Sequence, residues 1–192
     1  MQGTMRFCPR CATPLAPRQT SGRERMACPG PDCGFVLYDN PLPVVAGLVE
    51  HEGDVLLVRS VGWPESWYGL VTGFLERGEE PEAAILRELQ EELGLEGRVV
   101  APIGVYTFPA RNELILAYHV EARGEVRLGT ELAGMKRVLP EKLRPWEFGT
   151  GHAVRDWLAR RAAPRSERSE PGGRLRKRSS APASGLSPRR PE

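Results

Sequence analysis

Residues 73–95 read GFLERGEEPEAAILRELQEELGL. On an ideal helix each residue advances roughly 100°. Glu88, Glu91 and Glu92 therefore share one face, and Leu86, Leu89 and Leu93 lie on the opposite side. Like charges at i, i+3 and i+4 destabilise an isolated helix by about a few tenths of a kcal/mol per pair. A divalent cation would offset that repulsion, because hard ions such as Mg²⁺ take carboxylate and water oxygens and bridge to phosphates. The plain alternative is a charged helix whose acids face water. The flanking residues argue for a short, fixed helix. Gly73 and Gly78 bracket a loop, Glu79 precedes a first-turn Pro81, and Gly94 closes the run, which is the expected asymmetry of proline at the start and glycine past the end.

At these residues the chain resembles the Nudix hydrolase family, whose signature is G-x5-E-x7-R-E-U-x-E-E-x-G-U with U a bulky aliphatic residue. Gly73, Glu79, Arg87, Glu88, Leu89, Glu91, Glu92, Gly94 and Leu95 fill every specified position. The resemblance implies an α/β/α sandwich with a mixed sheet, a catalytic Mg²⁺ or Mn²⁺, and cleavage of nucleoside diphosphates linked to another group. It also assigns roles. Glu91 and Glu92 are the principal metal ligands, and Glu88 is a further ligand or the base that acts on water. Glu79 supports the site from the helix entrance, and the Gly73 carbonyl completes the coordination. Arg87 orients the glutamates through bidentate hydrogen bonds, a task lysine performs poorly.

All four cysteines fall early, as Cys8-x2-Cys11 and Cys28-x4-Cys33. Two paired knuckles suit a structural Zn²⁺ held by four thiolates, with no position left open for water. Disulfides are the alternative, and a reducing cytoplasm disfavours them. A unit this small cannot build a sufficient apolar core, so the ion is expected to supply much of its folding energy. A zinc ribbon ahead of a Nudix domain is similar to the NADH pyrophosphatase branch of the family. The expected division is a ribbon over 1–40, a Nudix hydrolase domain over 41–163 and a disordered basic tail over 164–192. The resemblance covers about residues 8–160.

The chain has 192 residues, 40% of them hydrophobic, enough for one core with an appendage. No window approaches the roughly 20 apolar residues of a membrane span. The start, MQGTMRFCPRC, lacks the apolar region of a secretion signal, so the expected location is the cytoplasm. The net charge of +2 conceals an asymmetry, since residues 164–192 carry eight basic and three acidic side chains. Arg174, Arg176, Lys177 and Arg178 offer RNA a basic contact. A solvated extension is the plainer reading, because no aromatic residues interleave for base stacking. A homodimer is compatible with the sequence.

Pro41 and Pro43 mark the boundary between the units. The aliphatic runs 44–50 and 55–59 flank His51-Glu52-Gly53-Asp54, a hairpin signal. Strands are also expected over 70–73, 98–106 and 114–121, with weaker ones over 125–128 and 136–139. A final helix is expected over 151–161, with Thr150 as its N-cap and an apolar stripe of Ala153, Val154, Trp157 and Leu158. His119 shares a strand face with Ile115 and Ala117, which points to packing. Trp67, Tyr68 and Phe108, together with Trp63 and Tyr106, are candidates to stack on a base or nicotinamide ring.

Relatives in the NADH pyrophosphatase branch carry a block S-Q-P-W-P-F-P-x-S. The corresponding residues 104–111 here read GVYTFPAR, keeping only the Phe-Pro pair. Those relatives also place an acid just before a later strand. Gly134 aligns there in this chain, with Glu131 the nearest acid. The substrate expected is a nucleoside diphosphate derivative such as NAD(H) or ADP-ribose. The competing reading is a nucleotide-sensing or nucleic-acid-binding protein without strong catalysis. Inactive sensors usually lose a signature glutamate, and this chain keeps all four.

Overall fold

Residues 5–163 are described in the computed structural model, so the expected tail at 164–192 lies outside the described residues. The cysteine unit is a small antiparallel sheet of β1 (Ala16–Thr20) and β2 (Arg23–Ala27). Ser21 and Gly22 join them with φ of 51° and 76°, the two positive values that a tight two-residue hairpin needs. A third extended segment adds to β2 through an Ala27–Val36 bridge and the Leu37 N–H to Met26 carbonyl bond of 2.8 Å.

The larger sheet is ordered β6-β7-β3-β4-β8, with β5 also pairing β3. Its strands are β3 (Leu42–His51), β4 (Asp54–Ser60), β5 (Val71–Phe74), β6 (Glu96–Phe108), β7 (Glu113–Arg123) and β8 (Leu132–Val138). β3 lies at the centre, parallel to β7 and antiparallel to β4 and β5. A strand covered on both faces reads as a continuous apolar run rather than an alternating one, as Val44 to Val49 does. Helix α1 (Pro81–Leu93) seals one face through Ala84, Ile85, Leu89 and Leu93 against Val45, Val49, Leu56 and Val71. Helix α2 (Gly151–Ala162) seals the other through Ala153, Val154 and Trp157 against Val44, Ala46, Leu48 and Ile115. The expected mixed-sheet sandwich is therefore present. Among the described residues no helix is long and apolar enough to cross a membrane.

Two local expectations need correction. Residues 125–128 are not a strand. Their segment caps α1 instead: the Arg127 and Gly129 N–H groups donate to the Leu93 and Glu92 carbonyls, each at 2.8 Å. Those helix-end carbonyls lack intrahelical partners and take the donors a ladder would have used. Thr150 does precede α2, but its side chain makes no capping hydrogen bond. The expected packing of His119 holds with an addition, because its Nε2 donates to Glu50 Oε2 at 2.6 Å while its ring meets Trp157 edge-on.

Candidate active site and cysteine cluster

The site starts from how α1 is pinned. Pro81 opens the helix, Gly94 closes it at φ 68°, and its buried stripe sets the rotation. That rotation turns Arg87 and Glu88 towards β5. Arg87 grips Glu79 with two bonds, Nε to Oε1 at 2.9 Å and Nη2 to Oε2 at 3.1 Å. The same guanidinium reaches Glu88 Oε1 at 2.8 Å, Glu91 Oε2 at 3.1 Å and the Phe74 carbonyl at 3.2 Å. One arginine therefore ties three signature glutamates to the end of β5, through the planar fork expected of it.

Burial has placed acids in poor solvent. Desolvation, opposed by the Arg87 hydrogen bond, holds the Glu88 carboxyl above its ordinary range. Glu92 is buried, and desolvation first, then the charges of Glu88, Glu131 and Glu91, push it up to about 8. Its Oε2 has no hydrogen-bond partner. A buried carboxylate oxygen without a donor is costly and suits a cation. Arg87 keeps Glu79 on the opposite course, holding that carboxyl below its ordinary range. Gly73 forms the floor: a Cβ there would lie 1.9 Å from Glu88 Cδ and Oε1. Only glycine lets the Glu88 carboxylate rest against β5.

Glu91 is more exposed than its neighbours, at 59% of its side chain. In the sequence Glu131 is only the nearest acid to Gly134, yet the loop stitched to the end of α1 brings its charge to bear on both Glu88 and Glu92. No local pattern marks it, because the approach depends on Gly129, where a Cβ would meet the Glu91 carbonyl oxygen at 2.4 Å.

A cleft of about 1100 Å³ opens beside these residues, and Gly73, Glu88 and Glu131 line it. Trp67, Tyr68 and Phe108 all line it, as does Trp63. Phe148, which the sequence did not single out, completes an aromatic wall with ring centroids 6.3 Å from both Trp67 and Phe108. Tyr106 is not part of that wall. Its hydroxyl donates to Asp156 Oδ2 at 2.8 Å, so it braces α2 against β6. Tyr68 is already engaged, with Lys136 Nζ 3.8 Å from its ring centroid. Lys136, Lys142 and Arg144 make the wall basic.

In the cysteine unit, the four sulfur atoms lie within 4.8 Å of one another. Among the described residues they are the one group of three or more ligand-type atoms drawn so close. The nearest pairs, Cys8–Cys33 and Cys11–Cys28, are 3.5 Å apart, far beyond the roughly 2.05 Å of a disulfide. A bond between the Thr13 hydroxyl and Cys11 is the main cause lowering that thiol to about 6. Such clustering of thiols in a poor core suits a tetrahedral soft-ligand metal.

The chain belongs to the NUDIX domain family, whose model matches residues 41–157. The NAD-capped RNA hydrolase NudC of Pseudomonas aeruginosa is 36% identical over 123 residues, spanning 63% of this chain and 42% of that protein. The protein of the same name from Pseudomonas fluorescens is 31% identical over 122 residues, spanning 63% and 43%. The chain thus matches less than half the length of these curated relatives. A NUDIX hydrolase from Nitrosomonas europaea shares the fold with a TM-score of 0.69 at 22% identity, over 82% of this chain and 92% of that one. A MutT protein from Methanosarcina mazei Go1 does so at 0.55 and 19%, over 66% and 99%.

Proposed function

We propose that this chain is a divalent-metal-dependent pyrophosphohydrolase that cleaves the diphosphate linkage of a nucleoside diphosphate derivative of the NAD type. The observation that carries this reading is the partnerless Oε2 of buried Glu92, which feels the charges of Glu88, Glu131 and Glu91, with Glu88 and Glu131 themselves lining an aromatic cleft. The names of the curated relatives point to the same substrate chemistry. The division into a zinc-binding unit over 1–40 and a hydrolase domain over 41–163 belongs to the proposal, as does Zn²⁺ on Cys8, Cys11, Cys28 and Cys33.

Glu91, Glu92 and Glu88, with the Gly73 carbonyl, would hold Mg²⁺ or Mn²⁺. The ion would neutralise charge on the phosphoryl oxygens and lower the pKa of water. Everything else falls to the chain's own groups. Arg87, fixed on Glu79, sets the rotamers of Glu88 and Glu91 before substrate arrives, so little reorganisation remains for the reaction. Glu88, held by Arg87 against the floor at Gly73, serves as the further ligand or as the group that takes the proton of the attacking water. That water adds to one phosphorus, the bridging P–O bond breaks, and the departing phosphate keeps the bridging oxygen. Trp67, Phe108 and Phe148 supply faces on which a base or nicotinamide ring stacks. Lys136, Lys142 and Arg144 favour the negative charge of the phosphates.

The test is product release from NAD⁺, NADH and ADP-ribose with Mg²⁺ or Mn²⁺. Glu91→Gln and Glu92→Gln should each lower turnover by about 10²-fold or more. Equal turnover in parent and variants would remove the catalytic assignment and leave the nucleotide-sensing alternative.

A further inference from the structure

The register of the cysteine unit sorts its side chains onto two faces. Arg18 pairs with Arg25, and Thr20 pairs with Arg23. Residues two apart on a strand share a face, so all three arginines stand on the same side of the hairpin. Tyr38 joins them: Arg25 donates to its carbonyl at 2.9 Å and stacks its guanidinium 4.8 Å from the ring centroid. The other face carries Met26 and Leu37, which pack with Cys8, Leu15 and Cys28. One face of the small sheet thus carries the three arginines, and the other carries Met26 against the cysteine cluster with Gln19 and Glu24 exposed towards the hairpin tip.

The arginine face is not internally compensated. Like charges directly opposite each other on paired strands are destabilising, and the Arg18–Arg25 pair is such an arrangement. Glu24, the one acid in the ladder, pairs with Gln19 on the other face. Among the described residues none of Arg18, Arg23 and Arg25 forms an ion pair. Arg18 and Arg23 are exposed, and Tyr38 is 52% exposed. Thr20 and Arg25 are half-buried on the same face, and their Oγ1 and Nε atoms are buried without hydrogen-bond partners.

We infer that the arginine face of this hairpin binds the backbone of single-stranded nucleic acid, with a base stacking on the free side of Tyr38. Cationic side chains neutralise phosphates and an aromatic ring takes a base without regard to sequence. A single strand fits better than a duplex, whose bases are already stacked. The position of the face adds a consequence. Asp39 follows Tyr38 and its carbonyl accepts from Asn112 Nδ2 at 3.3 Å, while neighbouring Arg111 lines the aromatic cleft. A strand on the hairpin therefore lies a few residues from the cleft rim, where a diphosphate at its 5′ end would enter. The surface itself stands apart from the proposed hydrolysis, and only this presenting role rests on it.

The probe is a fluorescein-labelled twelve-residue oligouridylate with a 5′ hydroxyl, titrated with the full chain and followed by anisotropy between 50 and 200 mM salt. Because it carries no diphosphate, a failed surface and a failed hydrolase are separate results. Replacing both Arg18 and Arg23 with glutamine should weaken binding about tenfold and flatten the slope of log K against log salt by about 1.4, from roughly 0.7 per lost phosphate contact. The double lysine variant keeps both charges and should stay within about twofold of the parent. Equal affinity for the glutamine variant and the parent would overturn the inference, as would equal losses in the glutamine and lysine variants. Binding a duplex of the same length more tightly than the single strand would overturn it too.

Discussion

Replacing Gly73 with alanine separates the geometry of the site from the stability of the fold. The added Cβ would fall 1.9 Å from Glu88 Cδ and Oε1 and 2.5 Å from Cγ. The obstructed group is the far end of a flexible side chain, so Glu88 swings aside rather than the strand giving way. Leaving its place loses the 2.8 Å bond from Arg87, a charged hydrogen bond of about 1.5–3 kcal/mol. The carboxylate also returns to water, which relieves the desolvation that holds it above its ordinary range. The two effects oppose, and the expected net loss is about 1 kcal/mol, or roughly 2–4 °C in melting temperature for a chain this size. Activity has no such compensation. A displaced proton acceptor or ligand should cost about 10²–10⁴-fold in kcat.

Gly47→Ala is the matched control, because its Cβ would meet Ile85 Cδ1 at 2.9 Å in the core beneath α1. Overpacking there should cost about 1–3 kcal/mol while turnover per folded molecule stays close to the parent. Melting curves and NAD⁺ hydrolysis on the same preparations decide the matter. If Gly73→Ala keeps kcat within threefold of the parent, Glu88 does not work from this cradle.

Three further outcomes are expected. Glu92 is held at about 8 against an ordinary 4.5, so between those values the unfolded carboxyl ionises while the folded one stays protonated. Stability of the divalent-free protein should then fall as pH rises from 4.5 to 8, by at most about 1.4 kcal/mol per pH unit. Glu92→Gln removes that dependence and should be more stable than the parent at pH 8, by up to about 4 kcal/mol, in resin-treated buffer. A variant less stable than the parent there would refute the reading. Cys28→Ser, at a buried position in the sulfur cluster, should lower bound zinc and the melting temperature together, and equal zinc per chain would sink the assignment. His51 is buried, with Nε2 donating to the Gly124 carbonyl at 2.9 Å and Nδ1 accepting from Arg137 at 2.9 Å. His51→Ala should cost about 2–4 kcal/mol with kcat unchanged, and a large fall in kcat at full stability would contradict this purely structural role.

Much of this protein was determined by the sequence alone. Glu88, Glu91 and Glu92 needed only the 3.6-residue period and the Pro81 and Gly94 boundaries to share one helical face, Glu79 and Arg87 were picked out by the signature, and the four cysteines needed only their spacing. Both constellations are local, so composition and period suffice. The strands from β3 to β7 were legible for the same reason, as apolar runs between turn residues. Residues 125–128 misled because extended backbone that caps a helix has the composition of a weak strand. Only the tertiary structure decided which Glu92 oxygen is left without a donor, that Glu131 reaches the acidic cluster, and that Phe148 joins Trp67 and Phe108. These depend on contacts between segments far apart in the chain, where close approach at Gly73 and Gly129 sets distances that no local pattern encodes.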